Sequence, residues 1–425
     1  MGRFLHSKHF DDIVVKRNFY LNLFDGALFS LAMSFVSLQT VFPVLIKKIS
    51  ESDFAIGLIP VIWAGGFNFP QILIANYVRK IGYKKSFMLK TALGQRLPWL
   101  FIAVLVYFFI ERLNPNIASV LILSSLGFAA IGGSLNLPGW FDLISKLTHV
   151  NLRGRLFAYR SVVGAILGVI GGTIVIIILN TFPYPKNFGI LFFLTFIVMM
   201  MSYVFLLFLK EETPNPSPLL FGHKEYVKRL FSILKKEKNF RNFLVSDSLM
   251  ILANICSAFF AVYAIEKFSL ADSYAGTFTI VMMISMIIGS IYFGYIADRY
   301  GHKINLVWAS AFTGIACLIA LVSPIVELFY FVFVGSALNL SLQMVSRLTI
   351  VAEICSEEDR PTYVALTNLV TAPFVLSGIF GGIIVHNFGF ETLFIVSFLF
   401  SLSTFLWLLF KVDEPRKFSF MAQSK

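Results

Sequence analysis

The sequence predicts an all-α membrane protein, with twelve transmembrane helices in two six-helix bundles related by pseudo-twofold symmetry. Two observations predict the membrane and a third predicts the pairing. Apolar runs of about 20 residues recur from end to end, each long enough to cross a hydrocarbon core of about 30 Å. Of the 425 residues, 57% are hydrophobic and only 14% are charged, whereas a soluble domain carries about 25% charged residues. A short basic loop then occurs twice, as Gly294-Tyr295-Ile296-Ala297-Asp298-Arg299-Tyr300-Gly301-His302-Lys303 and as Ala75-Asn76-Tyr77-Val78-Arg79-Lys80-Ile81-Gly82-Tyr83-Lys84. A repeated loop in such a chain points to two similar bundles. The alternating segments of about 10 residues that mark a β-barrel are not visible.

The predicted spans are Phe19–Ile46, Phe54–Tyr77, Phe87–Ile110, Ile117–Phe141, Leu156–Leu179 and Phe188–Leu209 in the first half. In the second half they are Phe243–Ile265, Ala275–Ala297, Ile304–Val322, Leu328–Ala352, Tyr363–Val385 and Thr392–Phe410. The first span carries Asp25 and a polar set that includes Asn22. The second carries Asn68 and Gln71 beside Pro70. The third carries Arg96 two residues before Pro98, which can kink it and free a carbonyl. The fourth ends at Asp142. The fifth has glycines at 164, 168, 171 and 172, read as a close-packing face. The seventh repeats the first: Lys238-Asn239-Phe240 precedes Asp247 as Arg17-Asn18-Phe19 precedes Asp25. The acid-to-loop spacing is nearly equal in the two halves. The tenth span carries Arg347 and ends at Glu353, and the eleventh repeats the glycine pair as Gly381-Gly382.

Lys and Arg set the orientation. Most of the 35 basic residues fall on the side of both termini. The opposite loops hold Lys47, Lys48, Arg112, Lys186 and Lys267, and Lys90, Arg96 and Arg347 fall within spans. By the positive-inside rule both termini are expected to be cytoplasmic, in the cell inner (plasma) membrane. No signal peptide is expected, because residues 1–18 are polar and basic. The domain reading is residues 1–209 for the first bundle, 210–242 for a cytoplasmic linker, 243–411 for the second bundle and 412–425 for a tail. The linker opens Glu211-Glu212-Thr213-Pro214-Asn215-Pro216-Ser217-Pro218. It then turns basic and amphipathic over 226–236, as a helix lying on the membrane would.

The net charge of +12 sits in loops, so anionic lipid is the expected partner and nucleic acid is not. Cys256, Cys317 and Cys355 lack metal spacing and are read as packing residues. The six histidines lie in loops or at span ends without ligand spacing. No phosphate-binding loop of the type G-x-x-x-x-G-K-[ST] occurs. Neither an enzyme nor a cofactor is therefore expected.

Together the twelve spans, the central basic linker and the repeated loop resemble the major facilitator superfamily over almost the whole chain. The resemblance implies two bundles rocking about a midplane site, in a cavity lined by the first, fourth, seventh and tenth spans. It implies a secondary transporter of a small solute, usually monomeric, with protons as the coupling ion to test. The aromatic-rich, weakly charged spans give a mild preference for export of amphiphiles. A uniporter or symporter for sugars or other polar metabolites is the alternative, and a lipid flippase or transporter-fold receptor is a third.

In the family loop, Gly294 would let a neighbouring helix approach and Gly301 would permit the turn. Asp298 would accept bonds from a neighbouring helix start and hold the inner side shut. Arg299 and Lys303 serve the topology rule as well. The first copy, with Arg79, Gly82 and Lys84, has an arginine where the acid belongs, so any latch there needs other partners.

Charges at membrane depth cost a few kcal/mol unless paired or wetted. Asp25 lies about six residues into its span, roughly 9 Å deep at about 1.5 Å per residue, and Asp247 is similar. Each is a candidate for proton coupling or solute binding, or else for a structural ion pair. Arg96, roughly 14 Å deep by the same rise, is expected to pair with Asp25, and Arg347 with Asp247. Asp142 and Glu353 are expected to scaffold the gates with Arg153, Arg155 and Arg360.

Overall fold

In the computed structural model, residues 13–211, 232–355 and 359–416 are described. Side chains at 69, 72, 73, 75, 76, 79, 150, 151 and 361 are not. Most of the predicted linker helix lies outside the described residues. The helices are α1 (Ile13–Phe35), α2 (Val41–Ser50), α3 (Asp53–Lys80), α4 (Lys84–Val104), α5 (Pro115–Leu147), α6 (Val150–Thr181) and α7 (Lys186–Leu207). The second half has α8 (Lys238–Ala253), α9 (Phe260–Lys267), α10 (Tyr274–Tyr300), α11 (His302–Val322), α12 (Val326–Ile354), α13 (Arg360–Val375) and α14 (Ser377–Lys411).

Nine stretches of the described residues are long and apolar enough to cross a bilayer. The last of them breaks at Gly389, with φ 84°, a backbone that glycine adopts at no steric cost. That break separates the eleventh and twelfth spans. With the first two spans this is the predicted twelve-helix arrangement.

Several spans expected to be continuous are interrupted, the eleventh of them at Leu376 between α13 and α14. The first stops at Phe35 and resumes at Val41 as α2. Pro43 explains the break: it donates no hydrogen bond, and its ring clashes with the carbonyl four residues earlier, at Gln39. The seventh tightens into a 3₁₀ turn over Asn254–Ala258 between α8 and α9. There Asn254 Nδ2 donates to the Met250 carbonyl and Cys256 Sγ to the Ala253 carbonyl, so side chains compete for the helix's own acceptors.

The packing is duplicated. The contacts α3–α5, α4–α5, α4–α7, α1–α7 and α1–α6 of the first half recur as α10–α12, α11–α12, α11–α14, α8–α14 and α8–α13. The halves meet through α3 against α14 and α6 against α10. Glycine makes both seams possible. A Cβ on Gly378 would lie 2.5 Å from the Gly57 carbonyl oxygen, and one on Gly276 would lie 2.6 Å from that of Gly172. Both seams lie at the end opposite the termini. The close-packing reading of the fifth-span glycines holds within the bundle too, where a Cβ on Gly164 would lie 2.6 Å from Ser30 Oγ.

Polar contacts reinforce that end. Lys47 on α2 bonds Asp53 at 2.8 Å and reaches Glu266 of the other half at 3.3 Å. Lys48 meets Asp272 at 2.6 Å, and Thr40 meets Thr279 at 2.6 Å. Burial opposes the charge on Lys47, but the hydrogen bond and field of Asp53, then those of Glu266, outweigh it and raise its pKa above 10.5. Its contribution to closure is therefore complete below 10.5 and is lost only as pH rises through the raised value.

Candidate functional site

Two acid–arginine centres lie at membrane depth, one per half. In the second half, Asp247 on α8 is buried and is gripped by Arg347 of α12. Nε donates to Oδ1 at 2.8 Å and Nη2 sits 2.8 Å from Oδ2. The expected pair is present, in the forked geometry in which guanidinium binds carboxylate most strongly. Arg347 Nη2 also reaches Thr371 Oγ1 of α13 at 3.5 Å.

This pair borders a cavity of about 310 Å³ between α3 of the first half and α8, α12 and α13 of the second. Its polar lining includes Asn68, Asn254, Ser257, Gln343, Asn368 and Thr371, with Arg347 at one wall. The size is at the small end for metabolite sites, and an apolar pocket with a few convergent polar groups is their usual composition. Gln71 is not among the lining residues. Its backbone N–H donates to Ser134 Oγ at 2.8 Å, and Asn68, one turn earlier, faces the cavity instead.

The first-half centre differs from expectation. Asp25 does not pair directly with Arg96. Its ion-pair partner is Arg160 of α6, Nη1 to Oδ2 3.2 Å, and the same nitrogen donates to Asn22 Oδ1. Ser202 of α7 donates to Asp25 Oδ1 at 2.7 Å and accepts from Arg96 Nη2 at 3.2 Å, so Arg96 reaches the acid through a hydroxyl. Arg96 also donates to the Met199 and Ala92 carbonyls, at 2.9 and 3.0 Å. Arg160 lies about a turn inside the fifth span, on α6, and was not among the residues expected at membrane depth. Gly26 is what admits it, since a Cβ there would collide with the guanidinium. The Trp140 ring covers the Arg160 guanidinium at 4.9 Å.

At the termini side, several expected gate contacts are replaced. The Asp298 carboxylate forms no hydrogen bond or ion pair among the described residues; its carbonyl accepts from Arg416 at 2.9 Å. Among the described residues, a Cβ on Gly294 would meet nothing within 4 Å, so the expected close approach of a neighbouring helix is not seen there. Gly301 does adopt the left-handed turn, φ 92°. Arg299 lies over the Tyr300 ring at 5.3 Å. Asp142 faces Lys84 at 3.4 Å rather than an arginine. Arg153 donates to the Thr148 carbonyl at 3.2 Å. Glu353 takes Arg416 at 2.7 Å in place of Arg360. Arg155 and Arg360 hold other interactions, and the Arg79 side chain lies outside the described residues.

A duplicated clasp at this end was not foreseen. Asn18 donates to the Lys210 carbonyl at 3.2 Å and accepts from the Lys210 N–H at 3.1 Å. Asn239 does the same with Asp413, at 3.0 and 2.8 Å. Each clasp delivers a carboxylate to a helix start, where backbone N–H groups lack partners. Glu211 accepts from the Lys84 and Lys85 N–H groups at 3.1 and 2.9 Å, and from Lys146 at 2.8 Å. Glu414 accepts from the Lys303 N–H at 3.0 Å. The readable signal is the pair of sixth- and twelfth-span endings, Lys210-Glu211 and Asp413-Glu414.

Burial pushes the Glu414 carboxyl up, and the Lys303 N–H only partly offsets this. Among the described residues, its Oε1 is buried without a hydrogen-bond partner. A raised acid contributes stability below its unfolded pKa and loses it as pH rises through the folded value. Glu414→Gln is therefore expected to gain thermal stability relative to wild type at pH 8, with little difference at pH 4. Melting curves at the two pH values check this, and an equal effect at both would refute it.

A profile of the Major Facilitator Superfamily matches residues 24–266 and 249–420. No curated protein matches the sequence. Among solved structures, a D-xylose-proton symporter superposes with TM-score 0.71 at 13% identity, over 95% of this chain and 99% of that one. A mutant of the nucleoside transporter NupG gives 0.70 at 12%, over 94% and 100%. A bacterial homologue of the iron transporter ferroportin, in an inward-facing state, gives 0.69 at 14%, over 93% and 98%.

Proposed function

The chain belongs to the Major Facilitator Superfamily, and on that premise we propose that it is a secondary transporter carrying a small solute by alternating access. The observation that carries this is the polar cavity of about 310 Å³ bounded by both halves, with the Asp247–Arg347 pair in its wall. Glycine seams and the Lys47 and Lys48 ion pairs support closure at the end opposite the termini, and the unengaged Asp298 carboxylate supports an opposite end that is not latched. With both termini cytoplasmic, this is an inward-facing state.

Asp247 is the coupling acid of this reading. When it is ionised, Arg347 is held; when it takes a proton, the guanidinium is released toward the cavity. The carboxamide-rich lining favours a polar solute over the amphiphile that composition alone suggested.

The test is uptake into proteoliposomes across panels of sugars, nucleosides, organic anions and amphiphiles, with and without a proton gradient. Asp247→Asn is expected to abolish the gradient-driven component for one class and to leave downhill exchange at about a tenth or more of wild type. If no class moves in either direction through folded protein, the transport reading fails.

A further inference from the structure

We infer that the first-half centre is a subsite for a small organic oxyanion, a carboxylate, bound by Arg160. This goes beyond the transport reading, because Arg160 is not among the residues that line the cavity beside Asp247 and Arg347.

The two centres share an acid on equivalent helices, α1 and α8, but their arginines come from different places: Arg347 from α12, Arg160 from α6 and Arg96 from α4. Asp247 serves one guanidinium, and that guanidinium's Nε–Nη2 edge is filled by the carboxylate. Asp25 serves two, Arg160 directly and Arg96 through Ser202. The described side chains of the first centre therefore carry one positive charge in excess, where an uncompensated charge is costly.

Arg96 cannot be the group that takes a counter-ion. It is 2% exposed, and Nε, Nη1 and Nη2 are each bonded to neutral acceptors. Arg160 can. All its hydrogen bonds to described residues are made by Nη1, so the Nε–Nη2 edge is the equivalent of the one that holds Asp247 and is without an acceptor. Its side chain keeps 15% exposure, against 5% for Asp25. The Trp140 ring lies 4.9 Å from the guanidinium carbon and packs against it. A carboxylate on that edge would make two parallel charge-assisted bonds and bring the cluster to neutrality.

The experiment measures binding, without requiring flux, by thermal stabilisation of the purified full-length protein in neutral detergent. The probes are hexanoate and hexanamide, which share a chain and differ in charge. Hexanoate is expected to raise the melting temperature in a saturable way and hexanamide to leave it unchanged. Arg160→Lys keeps the charge and loses the fork. It is expected to weaken hexanoate about tenfold or more, the scale of one charge-assisted hydrogen bond. Equal stabilisation by hexanamide overturns the proposal, and so does unchanged hexanoate affinity in folded Arg160→Lys. If the variant does not fold, the comparison of the two probes on wild type decides alone. A third arm adds phosphatidylglycerol without hexanoate. Should the lipid reproduce the shift and abolish the hexanoate response, the anion is a headgroup and the free-solute proposal falls. A hexanoate shift without any flux in vesicles would remove the transport reading and leave this one standing.

Discussion

Asp25→Asn is expected to destabilise the protein by about 3–5 kcal/mol, the cost of removing one partner from a buried ion pair. Two guanidiniums depend on this acid, one through Ser202. Without it, Arg160 and Arg96 repel at membrane depth with no carboxylate between them. The complementary change is informative. Arg160→Gln leaves one acid and one base and is expected to cost less than half as much. Thermal denaturation of detergent-solubilised variants decides between this and a plain helix-packing role. If Asp25→Asn and Arg160→Gln are equally destabilising, charge balance is not what the acid supplies.

Gly57→Leu is expected to lower transport by about ten- to a hundredfold while preserving the fold. The leucine enters a contact so tight that even a Cβ on the facing Gly378 would lie 2.5 Å from the Gly57 carbonyl oxygen. Overpacking of a tight contact costs about 1–3 kcal/mol, and here only the state with the seam closed incurs it. The conformational equilibrium should shift accordingly, about tenfold for each 1.4 kcal/mol. Gly276→Leu is expected to act alike at the second seam, against Gly172. Spin labels across the end opposite the termini would report a longer mean distance in both variants. An unchanged distribution together with full transport would show that these seams do not set the equilibrium.

The fold was largely legible because its causes are local and repeated. Apolar run length, the recurring loop and the Asn-Phe…Asp landmarks each recur without any tertiary knowledge. The Asp247–Arg347 pair was legible because depth alone matched two opposite charges in one half. Asp25 failed by the same rule, since matching depth to Arg96 ignored Arg160. That residue follows Arg153 and Arg155 closely, and a run of basic residues reads as loop. Only the missing Cβ at Gly26 shows that the helix admits a guanidinium there. The interruption of the first span had a signal in Pro43. That of the seventh has none so plain, because it follows from side chains bonding their own helix. The clasps escaped notice because each joins residues at opposite ends of a half, and local patterning carries no such information.

Those clasps bear on how the chain came to be. Asn18 ties the first helix of its half to the backbone just beyond the last, and Asn239 does the same in its own half. Each six-helix unit is buckled by its own two ends, and neither buckle borrows an atom from the other unit. A half of this kind is already a finished object at its chain ends. An ancestral gene encoding one such unit would have specified a homodimer with the same seams, and its doubling would have needed only a tether. The two units differ in their buried centres: Asp247 meets one arginine, on α12, whereas Asp25 meets Arg160 of α6 directly and Arg96 of α4 through Ser202.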